Sequence, residues 1–336
     1  KEPVEIIAST EQPKNSLVFI VANNTAQTIS AKVKTDRVAE PFSQRVSIPA
    51  FSSEKMNVPS GSVLPGSNTV TVTWKDVTTL HTVKQNIINW NIDKNPMEKM
   101  KPIFIDQYFN DKVTNIFKNQ YLSPRPATVT LQLPIQGIGE WTHPMLTATI
   151  DDSGLRGKAA NNNIVTLPQG VSFRTPSEID KPNILFTSQW DNYPREAMIP
   201  LSGKASHAYL LMAGSTNPMQ SRMTNGALII IYTDGTNDTL LLKNPQSWWP
   251  IEQDYYDDGY AFSIGAVKPV RIHLKTGNII SALDDTIKKY NGKMIEGGSA
   301  TVLDMPLQND KTLKQLVLQA WCNDVVIGLM GVTLLY

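Results

Sequence analysis

Short β-forming runs separated by turn residues repeat along most of this chain. Between residues 4 and 92 the runs are rich in Val, Ile and Thr, and clusters of Pro, Gly, Ser and Asn divide them. Examples are residues 16–22, 29–35, 45–48 and 69–74. This spacing gives about seven strands in roughly 90 residues, as in a β-sandwich. The pattern predicts an immunoglobulin-like sandwich over residues 1–92.

The same pattern returns on a larger scale over residues 128–336. Nine or more apolar runs are found there, and the clearest local signal is the stretch YTDGTNDTLLL. Within it, Asp234 and Gly235 fit a tight turn between two apolar runs, which predicts a hairpin. So many strands in one domain predict a jelly-roll sandwich. The whole protein is therefore expected to be mainly β.

A connector over residues 93–127 separates the two predicted sandwiches. Prolines at 96, 102, 124 and 126 break any long strand in it. Asn110 is a suitable helix N-cap, and Val113, Ile116 and Phe117 follow at helical spacing, with Tyr121 extending the stripe. The sequence predicts a short linker that contains one helix.

Charge and length exclude several classes of partner. The 31 basic and 30 acidic residues nearly cancel, and no Lys/Arg block stands out, so we expect neither nucleic acid nor an anionic membrane as the partner. The longest apolar stretch, residues 325–336, is shorter than the roughly 18 residues that a membrane span needs. It is predicted to be a buried strand. The single cysteine, Cys322, excludes an intrachain disulfide and is predicted to be a small buried residue.

Most catalytic motifs do not occur in this sequence. There is no Gly-rich phosphate loop, no HExxH zinc helix and no GxSxG elbow, and the four histidines lie far apart. Glycoside hydrolysis stays open, because it needs only two carboxylates in a cleft and these have no fixed spacing in the sequence.

Residues 244–262 carry the most informative composition. Aromatic residues alternate here with acids: Trp248, Trp249, Tyr255, Tyr256 and Tyr260 with Glu252, Asp254, Asp257 and Asp258. Flat rings stack on the C–H face of a sugar while acids accept hydrogen bonds from its hydroxyls, so this composition suits a carbohydrate site. The alternative is that the two tryptophans fill the end of the sandwich and the acids solvate a loop.

A second polar and aromatic loop covers residues 188–195, which read SQWDNYPR. Loops at one end of a sandwich converge, so this loop is a candidate for the opposite wall of a shared cleft. Its candidate sugar contacts are Trp190, Asp191, Asn192, Tyr193 and Arg195. The alternative is a surface turn with Trp190 packed inward.

Calcium is the one metal that the sequence suggests, and no other cofactor is expected. Asp254, Asp257 and Asp258 are weak candidates for Ca²⁺, a hard cation that takes six to eight oxygen ligands. Their spacing does not match an EF-hand loop, and a solvated acidic loop is the simpler interpretation. Asp151 and Asp152 have the same two interpretations.

Three stretches together resemble a known family. They are residues 200–222, the YTDGTNDTLLL hairpin and the run WWPIEQDYY. They look like the C-terminal region of secreted glycoside-hydrolase-like proteins of gut Bacteroidetes, over about residues 106–336. The resemblance implies a galactose-binding-like jelly roll, an upstream six-hairpin barrel that carries catalysis, and a secreted, periplasmic or outer-membrane-associated location. The start at Lys1 fits removal of a signal peptide or of an upstream region.

These observations predict a non-catalytic accessory region of a secreted glycan-degrading protein. Its expected partners are a glycan or the upstream catalytic domain. Two alternatives stay open: a glycoside hydrolase that uses a carboxylate pair on the jelly roll, and a structural module that only braces a catalytic domain.

Overall fold

A computed structural model describes residues 2–35, 41–93, 99–118, 149–189, 193–216, 222–255, 267–280, 288–289, 294–323 and 325–336. The described chain divides into two compact units. The first comprises Lys1–Met100 with Leu167–Val171, and the second comprises Lys101–Thr166 with Ser172–Tyr336. Both consist mainly of antiparallel strands, as predicted. None of the described helices has the length and hydropathy of a membrane-spanning segment.

The described residues of the first unit form a sandwich of seven strands. They are β1 (Val4–Ala8), β2 (Ser16–Asn23), β3 (Ile29–Thr35), β4 (Ser43–Ile48), β5 (Ser53–Pro59), β6 (Gly66–Lys75) and β7 (Leu80–Asn89), with a 3₁₀ turn at Ser60–Ser62. One sheet has the order β1-β2-β5 and the other β4-β3-β6-β7. The predicted immunoglobulin-like architecture is present, with the fourth strand in the sheet of the third, sixth and seventh.

Alternating burial explains the two layers of this sandwich. In β3, Ile29, Ala31 and Val33 are buried, whereas Ser30 and Lys34 between them are exposed. Successive side chains on a strand point to opposite faces, so the apolar set of each strand enters a single core.

The second unit contains the remaining strands. They are β8 (Met100–Pro102), β9 (Ile164–Thr166), β10 (Ser172–Arg174), β11 (Leu185–Ser188), β12 (Glu196–Pro200), β13 (His207–Thr216), β14 (Thr224–Tyr232), β15 (Asn237–Lys243), β16 (Arg271–His273), β17 (Lys288–Lys289), β18 (Met294–Ile295), β19 (Ser299–Pro306), β20 (Leu313–Ala320) and β21 (Val325–Leu335). Among the described residues of this unit, the only α-helix is α1 (Ser153–Lys158), and 3₁₀ turns lie at Asp106–Tyr108 and Val113–Asn115.

Eight of these strands form a jelly roll, as predicted. One sheet has the order β11-β21-β13-β19, extended at its edge by β16, and the other has the order β12-β20-β14-β15. Numbered one to eight along the chain, the two orders are 1-8-3-6 and 2-7-4-5, the arrangement of two Greek keys. Apolar residues from both sheets fill the space between them, among them Leu210, Leu228, Leu316 and Val332.

Strand β21 is buried on both faces over all eleven of its residues. Its inner face contacts the core between the sheets. Its outer face is covered by the β9–β10 hairpin, where a Cβ added at Gly331 would lie 3.1 Å from Phe173 Cδ1. The prediction of a buried strand at the end of the sequence is confirmed.

The helix predicted in the linker is reduced to short 3₁₀ turns. Asn110 does not cap a helix: its side chain accepts the Phe186 N–H at 2.8 Å and donates to the Phe186 carbonyl at 2.9 Å. It therefore pairs with the β11 backbone as a strand would. Val113 and Ile116 are buried as predicted, but Tyr121 lies outside the described residues.

Helix α1 is held by a buried ion pair. Arg156 Nε donates to Asp152 Oδ2 at 2.8 Å, and both side chains are almost fully buried. The guanidinium also donates to the Pro176 carbonyl, and Asn183 Nδ2 donates to the same Asp152 oxygen at 2.7 Å. Asp151 Oδ1 accepts the Ser153 N–H at 3.0 Å. These bonds give Asp152 a structural role, and Asp151 helps to order the start of α1.

Candidate functional site

Trp248 packs into the jelly-roll core. Only 3% of the residue is exposed, and its Nε1 donates to Asn225 Oδ1 at 3.1 Å. The ring lies against Gly214 of β13, so closely that a Cβ there would be 2.8 Å from Trp248 Cζ3. A glycine at this position allows the indole to approach the strand backbone.

Trp249 is buried beside it in a separate set of contacts. Its Nε1 donates to the Asp254 carbonyl at 2.8 Å, and its ring meets Tyr255 edge-on with centroids 5.3 Å apart. The Tyr255 hydroxyl donates to the Pro269 carbonyl. Neither tryptophan presents an open ring face, which argues against the sugar-facing position that the composition predicts for them.

Glu252 and Arg271 are buried charges in the same segment. Burial raises the pKa of Glu252 to about 8, against the opposing effects of its own backbone N–H and of Arg271. No hydrogen bond from another described residue reaches either Glu252 carboxylate oxygen. The Arg271 guanidinium donates to the Pro250 carbonyl at 2.6 Å and to the Gln253 carbonyl, and it lies 5.3 Å from the Tyr255 ring centroid. Burial lowers the pKa of Arg271.

The predicted calcium ligands are only partly placed. Asp254 is 9% exposed, and its Oδ1 accepts the Tyr255 N–H at 2.8 Å. Tyr256, Asp257 and Asp258 lie outside the described residues. Within the described ranges, no group of three or more His, Cys, Asp or Glu side chains is arranged to hold a metal ion.

The second predicted loop is described at its C-terminal end. Tyr193 is buried, donates its hydroxyl to Asp111 Oδ2 at 2.7 Å and packs on Phe186 with centroids 5.0 Å apart. These contacts give it a structural role. Arg195 is exposed, and its carbonyl accepts the Ala320 N–H. Trp190, Asp191 and Asn192 lie outside the described residues.

Both predicted loops leave the jelly roll at the same end. Ser188, the last residue of β11, pairs with Val326 near the start of β21. Gly214, near the end of β13, pairs with Ile327, and its carbonyl accepts the Ile251 N–H. The expected convergence of the loops is therefore compatible with the strand register.

Sequence reasoning missed the outer face of the four-stranded sheet. Leu316 and Leu318 of β20 enter the core, so the residues between and beyond them point outward: Gln315, Val317, Gln319 and Trp321. Trp321 is 47% exposed although tryptophan is among the larger apolar side chains. Its position beside the strand end makes it an open aromatic surface.

A polar chain fixes Trp321 on this face. Its Nε1 donates to Gln319 Oε1 at 2.9 Å, and Gln319 Nε2 donates to Glu196 Oε2. Pairing places Glu196 opposite Gln319, Gln319 opposite Ala227, and Ala227 opposite Leu241, which is 47% exposed. The row thus combines a carboxylate, an amide and apolar side chains beside an aromatic ring.

The next row of the same face is mainly apolar. Met198 pairs with Val317, Val317 with Ile229, and Ile229 with Thr239. Met198 is 53% exposed at the sheet edge, and Gln315 Nε2 points to its sulfur at 3.6 Å. The alternation in LKQLVLQAW carries this information in the sequence, because every second residue from Gln315 to Trp321 shares one face.

Comparisons with known proteins add little. No family model and no curated protein matches the chain. Among solved structures, tripeptidyl peptidase 2 is 7% identical with a TM-score of 0.21, covering 99% of this chain and 20% of its own. A Bacteroides uniformis β-glucuronidase is 10% identical with a TM-score of 0.21, covering 96% of this chain and 28% of its own. At this similarity, neither protein supports a shared fold or activity.

Proposed function

We propose that this chain is a non-catalytic accessory region of a secreted glycan-degrading protein, and that its jelly roll contacts neutral carbohydrate through the outer face of the sheet β12-β20-β14-β15. The observation that carries the proposal is the exposed Trp321, whose indole nitrogen is bonded to Gln319 beside Glu196. The resemblance of residues 106–336 to secreted glycoside-hydrolase-like proteins supports the secreted location and an upstream catalytic domain as the other partner.

The chemistry of this face suits a sugar ring. The indole supplies a flat apolar surface for the C–H side of the ring, while the Gln319 amide and the Glu196 carboxylate exchange hydrogen bonds with hydroxyls. A single aromatic stack contributes about 1–2 kcal/mol, so affinity in the high micromolar to millimolar range follows.

Binding of the full chain to a broad panel of plant and host glycans tests the proposal. Trp321→Ala is expected to weaken binding by about tenfold, the equivalent of roughly 1.4 kcal/mol. The control is Phe104→Ala, since Phe104 is 55% exposed in the same unit but lies against Arg174. An equal loss in both variants, or no binding by the unmodified chain, would overturn the proposal.

A hydrolase is a second candidate, favoured by the pKa of Glu252, which is raised to about 8. A general acid must stay protonated at neutral pH, and Asp254 would be the second carboxylate. Glu252 is only 1% exposed, however, so substrate does not reach it in this conformation. Glycan hydrolysis that is lost in Glu252→Gln while the fold is retained would favour this candidate.

A third candidate is a purely structural module that braces an upstream catalytic domain. Burial of Trp248 and Trp249 favours it, because both rings then stabilise the sandwich and neither is available to a ligand. Absence of binding to every glycan of the panel would favour this role.

A further inference from the structure

The sheet β4-β3-β6-β7 of the first unit segregates its charges onto one face. The inner face carries Ala31, Val33 and Val72, which are buried in the core. The intervening positions point outward and carry all the lysine and arginine residues of the four strands: Lys32, Lys34, Arg45, Lys75 and Lys84. The near-neutral composition of the whole chain hides this local excess of positive charge.

Nothing on the sheet compensates these cations. The four strands contain no aspartate or glutamate. Among the described residues, none of the five cations forms an ion pair with a carboxylate. The carboxylate that follows Lys75 in the chain, Asp76, is bonded to His81 Nε2 at 2.7 Å.

Strand register brings like charges together on this face. Lys32 of β3 stands directly opposite Arg45 of β4. In a second row, Thr71 of β6 separates Lys34 from Lys84. Like charges directly opposite each other on adjacent strands are destabilising, so this arrangement costs stability unless an anion covers it.

We propose that the outer face of the sheet β4-β3-β6-β7 binds an acidic polysaccharide, at a site separate from the jelly-roll face. Its cations match carboxylate or sulfate groups, and hydroxyl and amide side chains between them match sugar hydroxyls. These polar side chains are Ser30, Ser43, Ser47, Thr69, Thr71, Thr73, Thr82 and Asn86. None of the outward positions on these strands is aromatic, so the face lacks the stacking platform of single-stranded nucleic-acid sites.

A membrane fits the charge distribution less well. Val77 and Leu80 are exposed near the β6–β7 turn, but only Lys75 of the five cations adjoins that turn. Thr71, in the row of Lys34 and Lys84, is four residues from Lys75, or roughly 13 Å at the rise of a strand. That distance exceeds the Debye length of about 8 Å at physiological ionic strength. Salt would therefore screen most of the attraction between a bilayer at the turn and the lysines of that row.

The test is binding of the full chain to heparin and to polygalacturonate, with neutral dextran as the uncharged comparison. The variant is Lys34→Gln/Arg45→Gln/Lys84→Gln, which removes three exposed cations of the face. The matched control is Lys55→Gln/Lys118→Gln/Lys204→Gln, which removes three exposed cations elsewhere and leaves the same net charge. Unfolding curves establish that both variants are folded.

We expect the face variant to weaken polyanion binding by about tenfold or more and to flatten its salt dependence, because fewer counterions are released. The control should change affinity by less than about twofold. Equal losses in both variants would overturn the proposal, since net charge alone would then explain binding. Tighter binding to phosphatidylserine vesicles or to single-stranded DNA than to either polysaccharide would also overturn it.

Discussion

Trp248 donates its indole N–H to Asn225 inside the jelly roll, over 3.1 Å. Truncating such a side chain leaves a large cavity, so Trp248→Ala should lower the free energy of unfolding by about 3–5 kcal/mol. Trp321→Ala, which removes an exposed indole, should change it by less than about 0.5 kcal/mol. Chemical denaturation of both variants measures the difference. Similar values for the two would contradict the buried position of Trp248.

Gly214 should not tolerate a side chain. An added Cβ would lie 2.4 Å from the Val326 carbonyl oxygen and 2.8 Å from Trp248. Gly214→Ala is therefore expected to cost about 1–3 kcal/mol through overpacking. Gly157→Ala is the control, because a Cβ there has nothing within 4 Å and alanine should stabilise α1 by about 0.5–1 kcal/mol. Thermal unfolding would show opposite shifts in melting temperature.

Glu252 should make stability depend on pH. Its folded pKa of about 8 is above the ordinary 4.5, so the folded state binds the proton more tightly than the unfolded state does. Stability should consequently fall as pH rises from about 4.5 to 8. Glu252→Gln removes this dependence. From pH 5 to pH 7, the difference in the free energy of unfolding between the variant and the unmodified protein should therefore shift in favour of the variant by on the order of 3 kcal/mol. Denaturation at both pH values measures the gain, and a pH-independent difference would contradict the assignment.

Asp152 compensates a buried guanidinium. Removing one partner of a buried ion pair leaves the other charge uncompensated, so Asp152→Ala should cost about 3–5 kcal/mol. Asp151→Ala is the neighbouring control, because it removes a less buried carboxylate whose hydrogen bond to the Ser153 N–H is worth about 1 kcal/mol. Urea denaturation of the two variants provides the comparison. Equal losses in the free energy of unfolding would contradict the expected penalty for leaving Arg156 without its partner.

Arg45 should destabilise the protein when no anion is bound. Replacing it with threonine removes the like charge opposite Lys32 and should raise the free energy of unfolding by about 0.2–1 kcal/mol at low salt. The gain should shrink as salt screens the repulsion. Lys55→Thr is the control, since Lys55 pairs with the uncharged Ile20. A salt-independent gain would point to a cause other than charge.

The alternation of apolar and polar residues along the sequence is sufficient to predict the sandwiches. It fails where contacts with a strand distant in sequence determine the local structure. The predicted strand 29–35 coincides with β3, because apolar and polar residues alternate along it. In the described residues 110–118, 3₁₀ turns replace the predicted helix, and the amide of Asn110 bonds instead to β11, which is 76 residues away in sequence. Helix propensity and the spacing of apolar residues carry no information about that partner.

The candidate sites illustrate the same limit. Composition around Trp248 suits a sugar loop as well as a core, and the contacts with Gly214 and Asn225 distinguish the two. Lys32 and Arg45 lie in different strands, so they do not form a run of basic residues in the sequence. Strand pairing places them opposite each other. The exposure of Trp321 depends on which face of β20 enters the core, and composition does not specify that face.

The position of β21 determines when the jelly roll can assemble. This strand lies between β11 and β13, and its residue Leu329 pairs with Leu185, so the sheet stays open until residues 325–335 are available. During synthesis, β13 can pair with β19 first, but β11 and the edge of β13 that faces it must stay unpaired until β21 follows. The first sandwich closes over much shorter sequence distances and can fold while the jelly roll still exposes its apolar strands. Chaperone dependence should accordingly be confined to the second unit.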